Sequence, residues 1–370
     1  MSNTKIIVKT KSKSYPIFFG NKIINKTNAL IQKNLPGVKK ICIISDKNVP
    51  LSLVRKLSKS LKKYNPKIYK FSAKEQTKSF EVAYKLIEDL LKNNFNRSDC
   101  VIVLGGGVLG DLGAFISSLT KRGIKFINIP STLLAQVDAS IGGKTAVNSR
   151  LGKNLIGTFY QPDFVLIDIS LLKSLPRREM ICGYAEILKH ALILDKKFFF
   201  WLNKNAKKII NKNNNNILKT AIIKSCKIKS KIISQDEKEK DLRMILNFGH
   251  TFAHAFEGAK NYSKKLNHGE AVLIGMIVAS ELSYKKRLLS KKDLMLIKRH
   301  YIDLSLLTNI KKFFKRKEIN KIIHFMKSDK KNLNKKINLI LIKKIGKTTK
   351  PNSVSLNPNE IKKFLLSYYK

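Results

Sequence analysis

Cys100-Val-Ile-Val-Leu-Gly105-Gly-Gly-Val-Leu-Gly110-Asp111 runs from five apolar residues into a glycine-rich turn and then into an apolar helical stretch. A short apolar run bounded by glycines reads as a buried strand. The glycines fit G-x-G-x-x-G between a strand and a helix. That spacing lets the backbone approach a pyrophosphate seated on the helix N-terminus. Similar runs lie on both sides: Lys40–Ser45 ending at Asp46, Phe126–Ile129 and Phe164–Ile167. Alternating with helical stretches, they predict a parallel sheet. Ile6–Val8 and Tyr15–Phe19 predict an opening hairpin. After Asp168 the pattern turns helical, over Glu179–Leu194, Ile209–Ile233, Phe248–Glu257 and Glu270–Tyr284, with the Asn-rich stretch 211–216 as a loop. The expected architecture is an α/β dinucleotide-binding domain over 1–170, with a parallel sheet, followed by an all-α metal- and substrate-binding domain over 171–370.

The chain has 370 residues and a net charge of +49, but only ten of its 74 basic residues are arginine. The lysines are spread along the whole chain among Asn and Ile. Arginine is the preferred reader of phosphates and base edges, so this composition argues for surface drift and against specific nucleic-acid binding. No apolar run approaches the roughly 18 residues of a membrane span. The N-terminal residues lack a signal-peptide core. Cys42, Cys100, Cys182 and Cys226 show no metal or disulfide spacing. Free thiols and a cytoplasmic location are expected.

The glycine turn departs from the usual dinucleotide pattern. The acid expected about twenty residues later to hold ribose is missing, because Asp138 is the next acid after Asp111. Asp46, at an earlier strand end, is the substitute. A glycine-rich turn without a ligand reads the same way in isolation. Downstream, Pro130-Ser-Thr-Leu-Leu-Ala-Gln-Val-Asp138-Ala-Ser-Ile-Gly-Gly143-Lys144-Thr145-Ala-Val-Asn148 packs an acid, a Gly pair, a Lys and hydroxyls together. A Gly pair makes a nest for an anion. It is not a P-loop, since the first Gly of G-x-x-x-x-G-K is absent.

Three of the six histidines fall within nineteen residues, in Gly249-His250-Thr-Phe-Ala-His254 and Asn267-His268-Gly. His250 and His254 would share one helix face. Two imidazoles and a carboxylate leave zinc an open position for substrate. Gly183-Tyr-Ala-Glu186-Ile-Leu-Lys189 supplies a carboxylate on an apolar helix. An ordinary Glu186–Lys189 ion pair is the structural alternative.

Together these stretches resemble the 3-dehydroquinate synthases of the shikimate pathway, within the sugar-phosphate cyclase superfamily. The likeness runs from about Asp46 to Lys347, through 105–115, 130–148, 153–162, 183–189, 243–257 and 266–276. The resemblance implies NAD, a catalytic Zn²⁺ or Co²⁺ in a cleft between the domains, and a homodimer. It implies Glu186, His250 and His268 as metal ligands, with His254 facing substrate. It carries Asp138, Lys144, Asn154, Lys189, Lys229, Arg243, Asn247, His254 and Lys347 into the substrate pocket. Arg122 matches an arginine reaching in from the partner subunit. NAD contacts are implied at Asp46, Asn48, Glu75, Lys78, Gly105, Gly106, Gly107, Gly110, Asp111, Ser131, Thr132, Lys144, Lys153 and Ser174. The implied reaction converts 3-deoxy-D-arabino-heptulosonate 7-phosphate to 3-dehydroquinate and phosphate, on the route to chorismate and the aromatic amino acids. It proceeds by transient oxidation through NAD, phosphate elimination, re-reduction and intramolecular aldol closure, a lyase step overall.

Ala253 stands where the family has Gly, His190-Ala191 replaces Tyr-Gly, Gly113-Ala114 inverts Ala-Gly, and Lys74 stands where Gly is common. None removes a charged pocket residue. Competing readings are a cyclase of another sugar phosphate, such as an inosose synthase, and a metal-dependent polyol dehydrogenase. The first is disfavoured by Arg243 and Asn247, which suit a carboxylate-bearing substrate. The second commonly uses Asp where Glu186 stands. Lysines outside the pocket set, such as Lys330, are expected to be exposed.

Overall fold

The computed structural model describes residues 4–263, 265–306, 309–327 and 336–370; Lys330 lies outside them. The chain forms two compact units, Met1–Met180 with Lys212–Lys238, and Ile181–Asn211 with Glu239–Lys370. The division therefore differs from a single cut near residue 170.

The first unit is built on a seven-stranded sheet. Its chain order is β1 (Thr4–Lys9), β2 (Ser14–Gly20), α1 (Thr27–Asn34), β3 (Ile41–Asp46), α2 (Leu51–Ser60), β4 (Lys67–Phe71), α3 (Phe80–Lys92), β5 (Cys100–Gly105), α4 (Gly107–Leu119), β6 (Lys125–Pro130), the hairpin β7 (Val147–Ser149) and β8 (Gly152–Ile156), and β9 (Phe164–Asp168). The sheet order is β1-β2-β9-β6-β5-β3-β4. Only the β1–β2 pair is antiparallel. β3, β5 and β9 are buried along their whole length, which is why they read as unbroken apolar runs. Successive residues face opposite cores. Ile41, Ile43, Ile102 and Leu104 pack with Leu30, Ile31, Val54 and Leu57 from α1 and α2. Cys42, Ile44, Val101 and Val103 pack with Ala83, Leu86, Leu109 and Leu112 from α3 and α4.

α5 (Arg177–Leu194) runs from the first unit into the second, where α6 (Lys196–Ile210) follows. The Asn-rich stretch expected as a loop does separate two helices, so the helical stretch read from Ile209 begins later, at Asn215. α6 stops at Ile210, and α7 (Asn215–Gln235) starts afresh, with the Asn214 side chain accepting from the Asn216 and Ile217 N–H groups. That Asn cap satisfies first-turn donors. α7 returns to the first unit and packs on β1 and the turn Ala135–Ala139. The second unit adds α8 (His250–Ala259), α9 (His268–Lys285), α10 (Lys291–Asp303), α11 (Ile319–Lys327) and α12 (Pro358–Leu366). Among its described residues the strands are two short antiparallel ribbons, Ile337–Asn338 with Ser355–Leu356 and Ile342–Lys344 with Lys347–Thr348.

Candidate functional site

In the second unit, three helices bring their chemistry together. Glu186 lies inside α5, and His250 and His268 are the first residues of α8 and α9. Each offers one ligand atom, and the three atoms lie within 4.8 Å of one another. His250 Nε2 is 3.5 Å from Glu186 Oε1. Tetrahedral ligand atoms at bonds of about 2.0–2.2 Å stand about 3.3–3.6 Å apart, the separation the His250–Glu186 pair already has.

Two glycines permit the convergence. A Cβ at Gly269 would meet Cys182 Cα at 2.2 Å, and one at Gly275 would meet the Gly249 carbonyl oxygen at 2.2 Å. α9 thus lies against α5 and against the start of α8 at distances no side chain allows. A capping box between Asn267 and Glu270 fixes where α9 begins.

The ring orientations suit a metal. His268 Nδ1 donates to Glu257 Oε2 at 3.2 Å, and His250 Nδ1 donates to the Phe248 carbonyl at 3.3 Å. Both leave Nε2 for an ion, the usual arrangement around ligating histidines. Burial drives the His250 imidazole well below its ordinary range, and the charges of Lys189, His268 and His254 push the same way. Burial also disfavours protonated His268, but the charge and hydrogen bond of Glu257 together with the charge of Glu186 outweigh it and raise that group. Glu186 is fully buried and its Oε2 pairs with the Nζ of Lys189. Its Oε1 accepts no hydrogen bond and faces His250 Nε2, so one oxygen of a buried carboxylate is placed for a cation. His254 is exposed, its ring 5.5 Å from that of His250, and lies outside the three-ligand group. Glu257, which orients His268, had no role assigned from the sequence; its signal was a lone acid on an apolar helix face.

The same unit holds Arg243, 2% exposed, in the turn Leu242–Asn247. Asn247 Nδ2 donates to Glu239 Oε1 at 2.8 Å. Lys347 is exposed and follows Gly346, whose N–H donates to the Leu192 carbonyl at 2.8 Å.

In the first unit, chain order reverses at β3. From β3 the chain steps outward to β4 and then crosses to β5 on the other side. Such a switch point opens a crevice beyond the carboxyl ends of the two strands. Asp46 ends β3 and Gly105 ends β5, and a Cβ on Gly105 would sit 3.6 Å from Asp46 Cβ. An acid therefore stands beside the glycine turn, at the end of the neighbouring strand. The Ser131 N–H donates to the Gly105 carbonyl at 2.9 Å, bringing Ser131 and Thr132 alongside. Gly106 caps α4 without a side-chain acceptor, which leaves first-turn amides for an anion. Gly113 allows α4 to lie on β5, since its Cβ would meet Val103 Cγ2 at 2.2 Å. The Gly113-Ala114 order is therefore the one this packing requires. These residues fit a dinucleotide.

Nearby, Lys78 Nζ pairs with Asp111 and donates to Asn154 Oδ1 at 2.5 Å, and Lys153 Nζ lies 3.2 Å from Glu75 Oε1. Lys229 Nζ donates to the Asp138 carbonyl at 2.7 Å and pairs with its Oδ1 at 2.5 Å. Lys144 is exposed and follows Gly142 and Gly143, both with left-handed φ. Asn48 is exposed, its N–H donating to Asp46 Oδ1 at 2.9 Å. Ser174 is exposed at the end of the turn Ile169–Ser174, and Arg122 is exposed with φ 61°.

Among the described residues, Lys78, Lys189 and Lys229 are the buried lysines. All three belong to the candidate set. In a chain so rich in lysine, burial separates these three from the solvated majority.

Residues 68–182 match the family profile described as 3-dehydroquinate synthase N-terminal, and residues 183–332 match 3-dehydroquinate synthase C-terminal. The chain is 51% identical over 346 residues to a 3-dehydroquinate synthase of Pelagibacter ubique, covering 94% of each. It is 43% identical over 311 residues to one of Thermodesulfovibrio yellowstonii, covering 84% of this chain and 85% of that one. Among solved structures it is similar to 2-deoxy-scyllo-inosose synthase complexed with carbaglucose-6-phosphate, NAD⁺ and Co²⁺. That match has a TM-score of 0.89 and 26% identity, covering 98% of this chain and 100% of that one. It is also similar to 2-epi-5-epi-valiolone synthase from Streptomyces hygroscopicus subsp. jinggangensis with NAD⁺ and Zn²⁺ bound, with a TM-score of 0.84 and 26% identity, covering 97% and 98%. With both halves of the family matched in order, and half of all aligned residues identical to one relative, this chain belongs to the 3-dehydroquinate synthase family.

Proposed function

We infer that the chain carries out the reaction of its family. It is an NAD- and divalent-metal-dependent lyase that turns 3-deoxy-D-arabino-heptulosonate 7-phosphate into 3-dehydroquinate and phosphate. The observation that carries the metal part is the group Glu186, His250 and His268, with ligand atoms within 4.8 Å. When bound, the metal supplies Lewis acidity toward a substrate hydroxyl, and NAD supplies a hydride acceptor restored within each turnover.

The side chains do the rest. Glu186, His250 and His268 hold the metal, while Glu257 fixes the His268 ring. Lys189 presents a desolvated charge beside Glu186, and Arg243 a buried guanidinium suited to bidentate hold on a carboxylate. Asn247 and Lys347 add polar contacts to the substrate. His254 brings a titratable imidazole one helical turn from His250 for proton transfer. In the first unit, Asp138, Lys144, Asn154 and Lys229 serve the substrate. Asp46, Asn48, Glu75, Lys78, the 105–111 turn, Ser131, Thr132, Lys153 and Ser174 serve NAD.

The enzyme works as a cytoplasmic homodimer on this reading. Its four cysteines are buried and form no disulfide, as suits a reducing compartment. No helix among the described residues is long and apolar enough to cross a membrane. Phe80 and Tyr84 on α3 and Leu119 at the end of α4 are exposed apolar groups, on two helices that contact the turn Thr120–Arg122. Such a patch supports a partner surface. The reaction is tested by phosphate release from the heptulosonate phosphate. Release is expected to need both NAD and metal and to consume no NAD. Full activity of NAD-stripped, chelator-treated enzyme refutes the assignment.

A further inference from the structure

Asn148, on β7, belongs to no ligand set considered so far, yet it ties several of those residues together. Its backbone N–H donates to the Lys78 carbonyl at 2.8 Å. Its Nδ2 donates to the Glu75 carbonyl at 3.1 Å and to Glu75 Oε2 at 2.8 Å. Its Oδ1 accepts from the Asn154 N–H at 3.0 Å. Asn154 sits in the left-handed region, at φ 56°, which an asparagine adopts at modest cost but does not hold unaided. Lys78 Nζ in turn reaches Asn154 Oδ1, and Lys153 Nζ lies against Glu75. The Asn148 amide therefore holds Glu75 and the Asn154 backbone directly, and through them bears on Lys153, which pairs with Glu75, and on Lys78, which donates to Asn154.

The chemistry is specific to an amide. It offers two donors and an acceptor at once. A carboxylate keeps the acceptor and loses the donors; an alkyl group loses both. The Asn148 amide also bears on Glu75 electrostatically. Burial pushes that carboxyl up, but the Asn148 hydrogen bond and the charges of Lys153 and Lys78 hold it below its usual range.

We propose that Asn148 is a positioning residue for the nucleotide, setting Glu75, Lys78 and Lys153 for NAD without touching it. This rests on the reading of those three as NAD contacts. The test is calorimetric titration of NAD into metal-loaded, NAD-stripped protein. Asn148→Ala and Asn148→Asp are each expected to weaken NAD at pH 8 by at least about tenfold, as loss of a hydrogen-bonded support to a charged group does. Asn148→Asp carries a second readout that a merely structural role does not move. Its new carboxylate faces Glu75, and at pH 6 a proton shared between the two restores a donor. Its NAD affinity is expected to recover several-fold on going from pH 8 to pH 6, beyond any change in the parent.

Glu75→Ala and Lys153→Ala are the controls. If they weaken NAD while both Asn148 variants stay within twofold of the parent, Asn148 positions nothing and the proposal falls. If the controls themselves leave NAD affinity unchanged, the assignment of those contacts is what fails. Should Asn148→Ala fold poorly, the pH response of Asn148→Asp still decides, and a flat response overturns the proposal.

Discussion

A lysine that is 2% exposed, as Lys189 is, has given up its hydration and needs a compensating charge. Glu186, three residues earlier and equally buried, provides it. Removing one member of a buried pair leaves the other uncompensated, typically at about 3–5 kcal/mol. Lys189→Met is therefore expected to destabilise the metal-free protein by roughly that amount, because Glu186 is then buried alone. Saturating Zn²⁺ is expected to restore much of the loss, since the ion neutralises the same carboxylate and binds only the folded state. Urea unfolding with chelator and with excess Zn²⁺ checks both parts. A metal-free variant as stable as its parent contradicts the pairing. This scale also separates what the sequence shows from what it hides. Six histidines make a cluster of three conspicuous, but spacing alone pairs His250 with His254, and only the family likeness points to His268. Sixty-four lysines conceal the few that matter, and without the family likeness nothing local marks Lys78 or Lys229. Asn148 was equally hidden, because its partners lie both upstream and downstream and meet only through folding.

Whole elements were legible where burial is complete and obscure where it is partial. β3, β5 and β9 carry apolar residues at every position. β4, Lys67-Ile-Tyr-Lys-Phe71, is an edge strand with alternating exposure, and charged residues on an edge blur its signal. The adjacency of Asp46 and Gly105 depends on strand order, which no local pattern reports. Helix contacts are equally non-local, as at His300 on α10. Its Nδ1–H donates to Asn203 Oδ1 on α6 at 2.5 Å, and its Nε2 accepts from the Tyr184 hydroxyl on α5 at 2.7 Å. Burial lowers this histidine from 6.5 to about 4. The sign follows directly. Between those values the unfolded chain takes up a proton that the folded one refuses, so stability is full above about pH 6.5 and declines toward pH 4. The depression corresponds to about 3 kcal/mol as an upper figure. Urea midpoints of metal-free protein at pH 7.5 and 4.5 should therefore differ more in the parent than in His300→Gln. Equal differences in the two proteins would exclude His300 as the source.

For the whole molecule, the net charge of +49 speaks to surface and not to site, because among the described residues every lysine but the three named above is exposed or partly exposed. The feature that points to assembly is smaller. Lys121 and Arg122 both hold left-handed φ, at 51° and 61°, an uncommon conformation for side-chain-bearing residues and one kept where surrounding structure or function demands it. Arg122 is exposed there, in a turn that contacts α3 and α4. On the homodimer reading it completes the site of the neighbouring copy, whereas Lys144 serves its own. Arg122→Ala and Lys144→Ala are then each expected to lose at least about tenfold in kcat/KM, as loss of one charge-assisted contact to an anionic substrate implies. Mixed together, the two inactive proteins behave differently from either alone. A mixed dimer has one site with both residues intact and one site with neither. With random exchange, half of the dimers are mixed, so activity should recover to about a quarter of the parent in a two-fold symmetric assembly. Sedimentation first establishes that dimers form, and affinity-tagged copies establish that subunits exchange. If exchange is complete and no activity returns, Arg122 acts within its own chain and the shared site is wrong.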